Sequence, residues 1–328
     1  MADFRAMTAV EVIEALRQSA PTLILLHKRP DADAVGSALA LRLWLEAMGS
    51  PACCICADEM PEHLAFLGAG LQESLLITAV PAGFEGARII AVDTASPAQA
   101  GELFPELEAR VSLMIDHHGT GTPFADHYIL PSAAASGEIV LALIRASDVA
   151  VTPRMATLLY AAISADTGCF RYSNTTTATH LAAAFLVERG IDTAEINRQL
   201  YEAKSLSLLT AEKAGFERLH FYESGRIAIL TFPYALQQQL GLKDEHLGTL
   251  VDVARCVYGV EIAAAIRETA TPGVYRVSMR ANVDFDVAAV AARFGGGGHT
   301  RAAGATLTAD DAERAEAMIL EALLQAER

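Results

Sequence analysis

An acid and two adjacent imidazoles, Asp116-His117-His118, follow the apolar run Val111-Ser112-Leu113-Met114-Ile115, which reads as a buried strand. Three more acidic clusters stand at ends of apolar runs. His27-Lys28-Arg29-Pro30-Asp31-Ala32-Asp33 follows Leu23–Leu26, Asp93 ends Ile89-Ile90-Ala91-Val92, and Asp166 follows Leu158–Ala165. In open α/β sheets, ligands bind outside the carboxyl ends of the strands. Carboxylates and imidazoles converging there would repel one another unless cations were present. A donor set of oxygens with a minority of imidazoles suits Mg²⁺ or Mn²⁺, and a pair of such ions suits phosphoryl hydrolysis.

Each cluster has a plainer reading. Asp33 could only cap the helix that follows it, Asp31 could brace a turn after Pro30, and Asp93 could cap a helix entered through Thr94-Ala95-Ser96-Pro97. Asp166-Thr167-Gly168 could be an ordinary turn, and the two histidines could face water. Convergence in one half of the chain favours chemistry. Gly36, just past the first cluster, would leave room for substrate or water. Gly295-Gly296-Gly297-Gly298-His299 lies farther along, between a helical pattern and the apolar segment Ala302–Leu307. A tight turn there can present successive backbone N–H groups as an anion nest, with His299, Arg301 and Arg280 as positive donors beside it. The alternatives are a slack linker and a surface arginine. His63, His127, His180, His220 and His246 lack a matching constellation and read as structural or exposed.

The elements that must position these residues fall into two rhythms. The first half alternates strands at Leu23–Leu26, Pro51–Cys56, Arg88–Val92 and Val111–Ile115 with helices at Ala34–Met48, Ser136–Ala146 and Pro153–Ala165, implying a parallel sheet flanked by helices. Thr175 is placed to cap a helix running to Arg189, stopped by Gly190. Thr193–Leu219 reads as a helical connector. Beyond it, Leu219–Glu223 with Arg226–Phe232 and Val260–Arg267 with Val274–Arg280 read as strand pairs, and Leu247–Val257, Asp286–Phe294 and Asp310–Ala326 as helices. The expected fold is α/β: a mainly parallel N-terminal domain over residues 1–190, a helical linker over 191–215, and a smaller α+β domain with a mixed sheet over 216–328.

The chain has 328 residues, 52% of them hydrophobic, which suffices for two packed cores. A net charge of −15 argues against long duplex nucleic acid as a partner but leaves short oligonucleotides open, since metals can supply local positive charge. Cys53, Cys54, Cys56, Cys169 and Cys256 lack a second pair at zinc-ligand spacing and read as buried free thiols in a reducing compartment. Met1–Val10 has no secretory pattern, and no apolar run looks long enough to span a bilayer. The expectation is a cytoplasmic protein with no membrane partner; a homodimer is left open.

Taken together, the motifs His27…Asp31-x-Asp33, Asp93, Asp116-His117-His118 and Asp166, followed by Ser278-Met279-Arg280 and Gly295–Arg301, resemble the DHH phosphoesterase superfamily with its DHH-associated C-terminal domain. They span residues 23–307 in the family's order. The run Asp166–Thr176 is most similar to the NrnA-like branch, oligoribonucleases that also remove the 3′-phosphate of pAp (3′-phosphoadenosine 5′-phosphate). The resemblance implies two Mn²⁺ ions, with Mg²⁺ or Co²⁺ as substitutes. His27, Asp31 and Asp93 would hold one ion, and Asp33, Asp93, His117 and Asp166 the other, with Asp93 bridging and a shared Asp166 as the alternative. Asp116 would orient an imidazole or a water, and His118 would touch the scissile phosphate. Arg280, Gly295–Gly298, His299 and Arg301 would bind the uncleaved part of the substrate, and the second domain would close over the cleft. The implied activity is attack by a metal-activated hydroxide on short single-stranded RNA (nanoRNA) from an end, on pAp, or on both. Rival readings are a phosphodiesterase for the dinucleotide pApA, a family II inorganic pyrophosphatase, a RecJ-type exonuclease, and an inactive nucleotide sensor or scaffold on the same fold.

Overall fold

The computed structural model describes residues 4–69 and 76–326; residues 1–3, at the start of the Met1–Val10 stretch read above, lie outside the described residues. The chain divides into two compact units, Met1–Ala203 and Lys204–Arg328.

In the first unit the described elements run α1 (Ala9–Arg17), β1 (Thr22–Leu25), α2 (Ala32–Ala47), β2 (Ala52–Ile55), β3 (Arg88–Val92), α3 (Pro97–Ala100), α4 (Phe104–Leu107), β4 (Val111–Asp116), β5 (His127–Ile129), α5 (Ser136–Ala146), α6 (Pro153–Asp166), α7 (Thr177–Val187) and α8 (Thr193–Asn197). The five strands form a parallel sheet in the order β2-β1-β3-β4-β5. Ile24, Ile90, Val92, Leu113 and Ile115 join the core built with α1, α2, α5 and α6. Leu23, Leu25, Ile89, Ala91 and Met114 pack on the opposite face against Phe104, Leu107 and Phe124. A strand buried on both faces reads as a continuous apolar run, which is why the first-half strands are legible as such. The central helix α2 is buried along most of its length and ends at Gly49, whose φ of 81° is the left-handed conformation that glycine takes at a helix stop.

The structure changes three local expectations. The helix cap is Asp31, whose Oδ1 accepts from the backbone N–H groups of Asp33 and Ala34 at 3.0 Å, so Asp33 lies inside the first turn and is fully buried. Thr176, not Thr175, caps α7. Gly36 makes room for a helix and not for a ligand: a Cβ there would stand 2.5 Å from the carbonyl oxygen of Leu158 in α6. β5 has no counterpart among the expected elements.

The second unit contains α9 (Leu206–Phe216), β6 (Leu219–Tyr222), β7 (Ile227–Phe232), α10 (Tyr234–Gln239), α11 (Leu250–Arg255), β8 (Ile262–Glu268), β9 (Val274–Ala281), α12 (Val287–Ala292), β10 (Gly297–His299), β11 (Ala302–Thr308) and α13 (Ala312–Ala326). Its mixed six-stranded sheet has the order β10-β11-β9-β8-β7-β6, with β7 and β8 parallel and the other pairs antiparallel. One face packs on α12 and α13 through Ile229, Ala264, Val277 and Met279; the other is covered over β7 and β8 by α9 and α11. The stretch expected as one helical connector is broken: α8 passes into a π-helical turn at Arg198–Glu202, and α9 starts afresh at a Ser205 cap. No helix among the described residues is long and apolar enough to cross a membrane. Among the five cysteines, all free, Cys54 and Cys56 are buried but Cys256 is exposed, contrary to the expectation of buried thiols throughout.

Replacing Gly36 by Ala is expected to destabilise the protein by about 1–3 kcal/mol, the cost of forcing an extra methyl into a packed helix contact. Urea denaturation of the variant and the wild type checks this.

Candidate metal centre and its neighbours

The carboxyl edge of the parallel sheet gathers the first-half motifs. His27 lies just past β1, Asp31 and Asp33 open α2, Asp93 follows β3, Asp116 ends β4 with His117 and His118 in the next loop, and Asp166 is the last residue of α6. Among the described residues, three sets of possible ligand atoms result, each within 4.8 Å of one another: His27, Asp31 and Asp93; Asp33, His117 and Asp166; and Asp93, His117 and His118. Asp93 has its two oxygens turned to different sets. Its Oδ2 is 3.6 Å from His27 Nε2, and its Oδ1 is 3.6 Å from His117 Nε2. That reach depends on a φ of 54° at Asp93, a left-handed conformation that Asp tolerates better than most residues. Asp93 does not cap the following helix; the N-cap of α3 is Ser96. His117 Nε2 stands 3.2 Å from Asp166 Oδ2 and 3.9 Å from Asp33 Oδ2.

Asp116 orients the double histidine. Its Oδ1 accepts from the backbone N–H of His117 at 2.7 Å and of His118 at 3.2 Å, and lies 2.7 Å from His118 Nδ1. A proton on His118 Nδ1 satisfies that contact and fixes the ring's orientation and tautomer.

The backbone of α5 supplies what the sequence reading missed. Ser136 and Gly137, at the start of that helix, donate their N–H groups to Asp33 at 2.7 and 2.9 Å, Ser37 Oγ donates to Asp33 at 2.9 Å, and Ser136 Oγ donates to Asp93 at 2.9 Å. A helix N-terminus with free N–H groups is a good place to hold a carboxylate. The sequence signal was a Ser-Gly pair opening a helix, too common to single out. Tyr201 is a second missed residue. Its hydroxyl bonds the Ser164 carbonyl and accepts from the Cys169 N–H at 3.0 Å, bracing the end of α6 that carries Asp166. Ser164 Oγ also donates to Asn197 at 2.9 Å.

Charge explains the titration of the cluster. Burial first, then the charges of Asp93 and Asp166, push the Asp33 carboxyl well above its ordinary range. Burial raises Asp166 to about 6 against the pull of His117. Burial would depress both imidazoles, but hydrogen bonds and charge from Asp31 and Asp93 hold His27 up at about 12, and those from Asp166, Asp33 and Asp93 hold His117 up at about 10. Burial also works to raise Asp93, and the imidazole of His27 overcomes it, so Asp93 lies below the usual carboxylate range. The donor set thus fits divalent cations: crowded carboxylates whose repulsion protons relieve in their absence, with a minority of imidazole nitrogens among oxygens.

In the second unit Arg280 is half-buried on β9 with Nη1 donating to the Met279 carbonyl at 3.0 Å, His299 is exposed on β10, and Arg301 stands 3.9 Å from Asp284. The glycine run is not a simple turn. Gly295 and Gly296 donate their N–H groups to Ala292 and Ala291 and close α12, while Gly297 and Gly298 pair with Gly304 and Ala303 of β11. A Cβ at Gly296 would stand 2.2 Å from the Gly304 carbonyl oxygen, so close backbone packing explains that glycine without a ligand. The expectation of four amides turned together toward an anion is corrected accordingly: two of them serve the helix end.

A parallel α/β unit with such a cluster on its carboxyl edge, followed by a mixed-sheet unit, is the build of a two-domain phosphoesterase. The DHH family N-terminal domain profile matches residues 21–163, and the DHHA1 domain profile matches residues 228–325. The bifunctional oligoribonuclease and PAP phosphatase NrnA of Thermus thermophilus is 33% identical over 315 residues, 95% of this chain and 91% of that protein. Its namesake in Bacillus subtilis is 29% identical over 299 residues, 89% and 91% of the two chains. An exopolyphosphatase-related protein from Bacteroides fragilis shares the fold at a TM-score of 0.85 and 21% identity, covering 99% of this chain and 98% of that one. The chain belongs to the DHH family, metal-dependent phosphoric ester hydrolases, and is NrnA-like within it.

Two outcomes are expected. Cation binding requires His27, His117 and Asp166 without their protons, and protons compete for those atoms. Mn²⁺ affinity should therefore rise with pH and fall steeply below the value of about 6 held by Asp166; titration calorimetry in buffers of different ionisation enthalpy reads both the affinity and the released protons. Asp93→Ala should lose more bound metal than any other single ligand change, while His118→Ala keeps the metal and loses turnover. Metal analysis of the purified variants decides this, and an emptied site in His118→Ala with a filled one in Asp93→Ala would reverse the two roles.

Proposed function

We propose that this chain hydrolyses short single-stranded oligoribonucleotides from an end and removes the 3′-phosphate of pAp, with two divalent ions, preferably Mn²⁺, in the first unit. The observation that carries the reading is Asp93, whose two oxygens face two separate ligand sets. Similarity over 95% of the chain to an enzyme named for both activities supports the choice of substrates.

In the proposed assignment, His27, Asp31 and Asp93 hold one ion, and Asp33, Asp93, His117 and Asp166 the other. Bound ions supply Lewis-acid neutralisation of phosphoryl oxygens and acidify water at neutral pH. The protein's own part is to orient its carboxylates, through the α5 amides on Asp33 and the Ser136 hydroxyl on Asp93. His118, turned by Asp116, offers Nε2 to the phosphoryl group and stabilises charge as the ribose oxygen leaves. Arg280, His299 and Arg301 bind the part of the substrate that is not cleaved. Mn²⁺ is favoured over Mg²⁺ by the imidazole ligands.

The test is a panel of pAp, pApA, a short RNA ladder and pyrophosphate, each with Mn²⁺, with Mg²⁺ and with chelator. Turnover of pAp and RNA is expected with Mn²⁺, less with Mg²⁺ and none in chelator. Activity retained in excess chelator after dialysis would overturn the metal reading, and turnover of pyrophosphate or pApA alone would move the assignment to those substrates. Arg280→Ala or His299→Ala should lower kcat/KM for pAp roughly ten- to a hundredfold, the effect of losing one charge-assisted contact. Bis-p-nitrophenyl phosphate, which has no remote phosphate, should be hydrolysed nearly unchanged; equal losses on both substrates would place these residues in the chemistry.

A further inference from the structure

One face of the second unit's sheet is open over its outer strands. Alternation along β9 buries Tyr275, Val277, Met279 and Ala281 and turns Arg276, Ser278 and Arg280 to the other side. Their partners on β11 are Thr306, Gly304 and Ala302, small side chains that leave the strip accessible. The strip runs from Arg280 to a cavity of about 610 Å³, lined by Tyr234, Gln238, Lys243, Thr269, Arg276 and Thr306 among others. That volume is within the range of small-ligand clefts.

The charges at this end are arranged against stability. Arg267 on β8 stands directly opposite Arg276 in the ladder, and like charges so placed repel. Asp244 serves both: its Oδ2 is 2.8 Å from Arg276 Nη1, and its carbonyl oxygen is 3.3 Å from Arg267 Nη1. Lys243 adds a third cation, 3.4 Å from Glu245. The Arg276–Asp244 and Lys243–Glu245 pairs are solvent-exposed and contribute little, so an incoming phosphate competes well for the same groups. Lys243 and Arg276 line the cavity beside one acid, Asp244, and in a chain of net charge −15 that local excess of positive charge suits an anionic ligand.

We infer that this cavity binds a remote nucleotide of a single-stranded oligoribonucleotide, the phosphate on Arg276 and Lys243 and the base against Tyr234. Aromatic platforms beside cationic grooves bind single strands in this way, without sequence preference. The inference rests on the proposed function. Four residue steps along the strand take Arg276 to Arg280, roughly 14 Å at the rise of an antiparallel strand. That exceeds the backbone repeat of one nucleotide, so pAp or a dinucleotide held at Arg280 would not reach the cavity, and a longer oligonucleotide would.

The experiment compares kcat/KM for pAp, a diadenylate and a penta-adenylate in wild type, Arg276→Gln and Tyr234→Ala, with melting temperatures as a check on folding. About a tenfold loss is expected on the penta-adenylate alone, with pAp and the diadenylate within about twofold of wild type. Fluorescence anisotropy of labelled penta-adenylate in chelator measures binding without turnover. Arg276→Gln should bind about tenfold more weakly, with the slope of log affinity against log salt reduced by about 0.7, the value for one lost phosphate contact on a single strand. An unchanged penta-adenylate affinity, or equal losses on all three substrates, overturns the inference. If the wild type turns over neither RNA nor pAp, the functional reading fails, and the anisotropy measurement still decides whether the cavity binds the strand.

Discussion

Five carboxylates and three imidazoles crowded on one edge of a parallel sheet set the main constraint on the first unit. Asp33 is fully buried, Asp93 is nearly so, and both face further acids. Such a cluster is tolerable only with compensating positive charge, as protons on His27 and His117 or as bound cations. The fold supplies the part of the compensation that does not come and go: two backbone amides at the start of α5 and the hydroxyls of Ser37 and Ser136. The close contact of α2 with α6, which excludes a methyl at Gly36, and the packing of α5 beside them keep those groups on the acids they serve.

The second unit solves a different problem. Its sheet must carry cations on an open face without losing its core, and it does so by alternation, apolar residues beneath α12 and α13 and arginines above. The glycine run belongs to this solution as much as to any ligand. It lets α12 end and β10 begin within a few residues, against a strand whose backbone approaches too closely for a side chain at Gly296.

The sequence was most legible where burial is greatest. Strands β1 to β4 are covered on both faces and read as apolar runs, and α5 and α6 agree with expectation to within a residue at each end. The acids at the ends of those runs are conspicuous for the same reason: a carboxylate after four apolar residues breaks a pattern. What was illegible depends on distant chain segments meeting. β5 is three residues long and only half-buried, too short to show alternation. Whether Asp31 or Asp33 caps α2 turns on which of them the α5 amides claim. The space at Gly36 belongs to a helix more than a hundred residues downstream, and the exposed Cys256 sits in an otherwise apolar turn that gives no hint of exposure. The break in the connector follows from Tyr201 being drawn to Ser164 and Cys169, a contact that local periodicity does not encode.

That last contact makes the connector part of the metal-binding unit. The family profile for the N-terminal domain stops at residue 163, three residues before Asp166, whereas the compact unit continues to Ala203 and its π-helical turn returns Tyr201 to the helix end that bears Asp166. The inherited pattern and the mechanical unit therefore have different ends. A fragment trimmed to the pattern lacks an acid of the cluster; one trimmed after the Asp166 loop keeps every acid but leaves the last one on an unbraced helix terminus. A fragment that runs through residue 201 keeps all the acids together with the Tyr201 contacts that brace the helix end bearing Asp166.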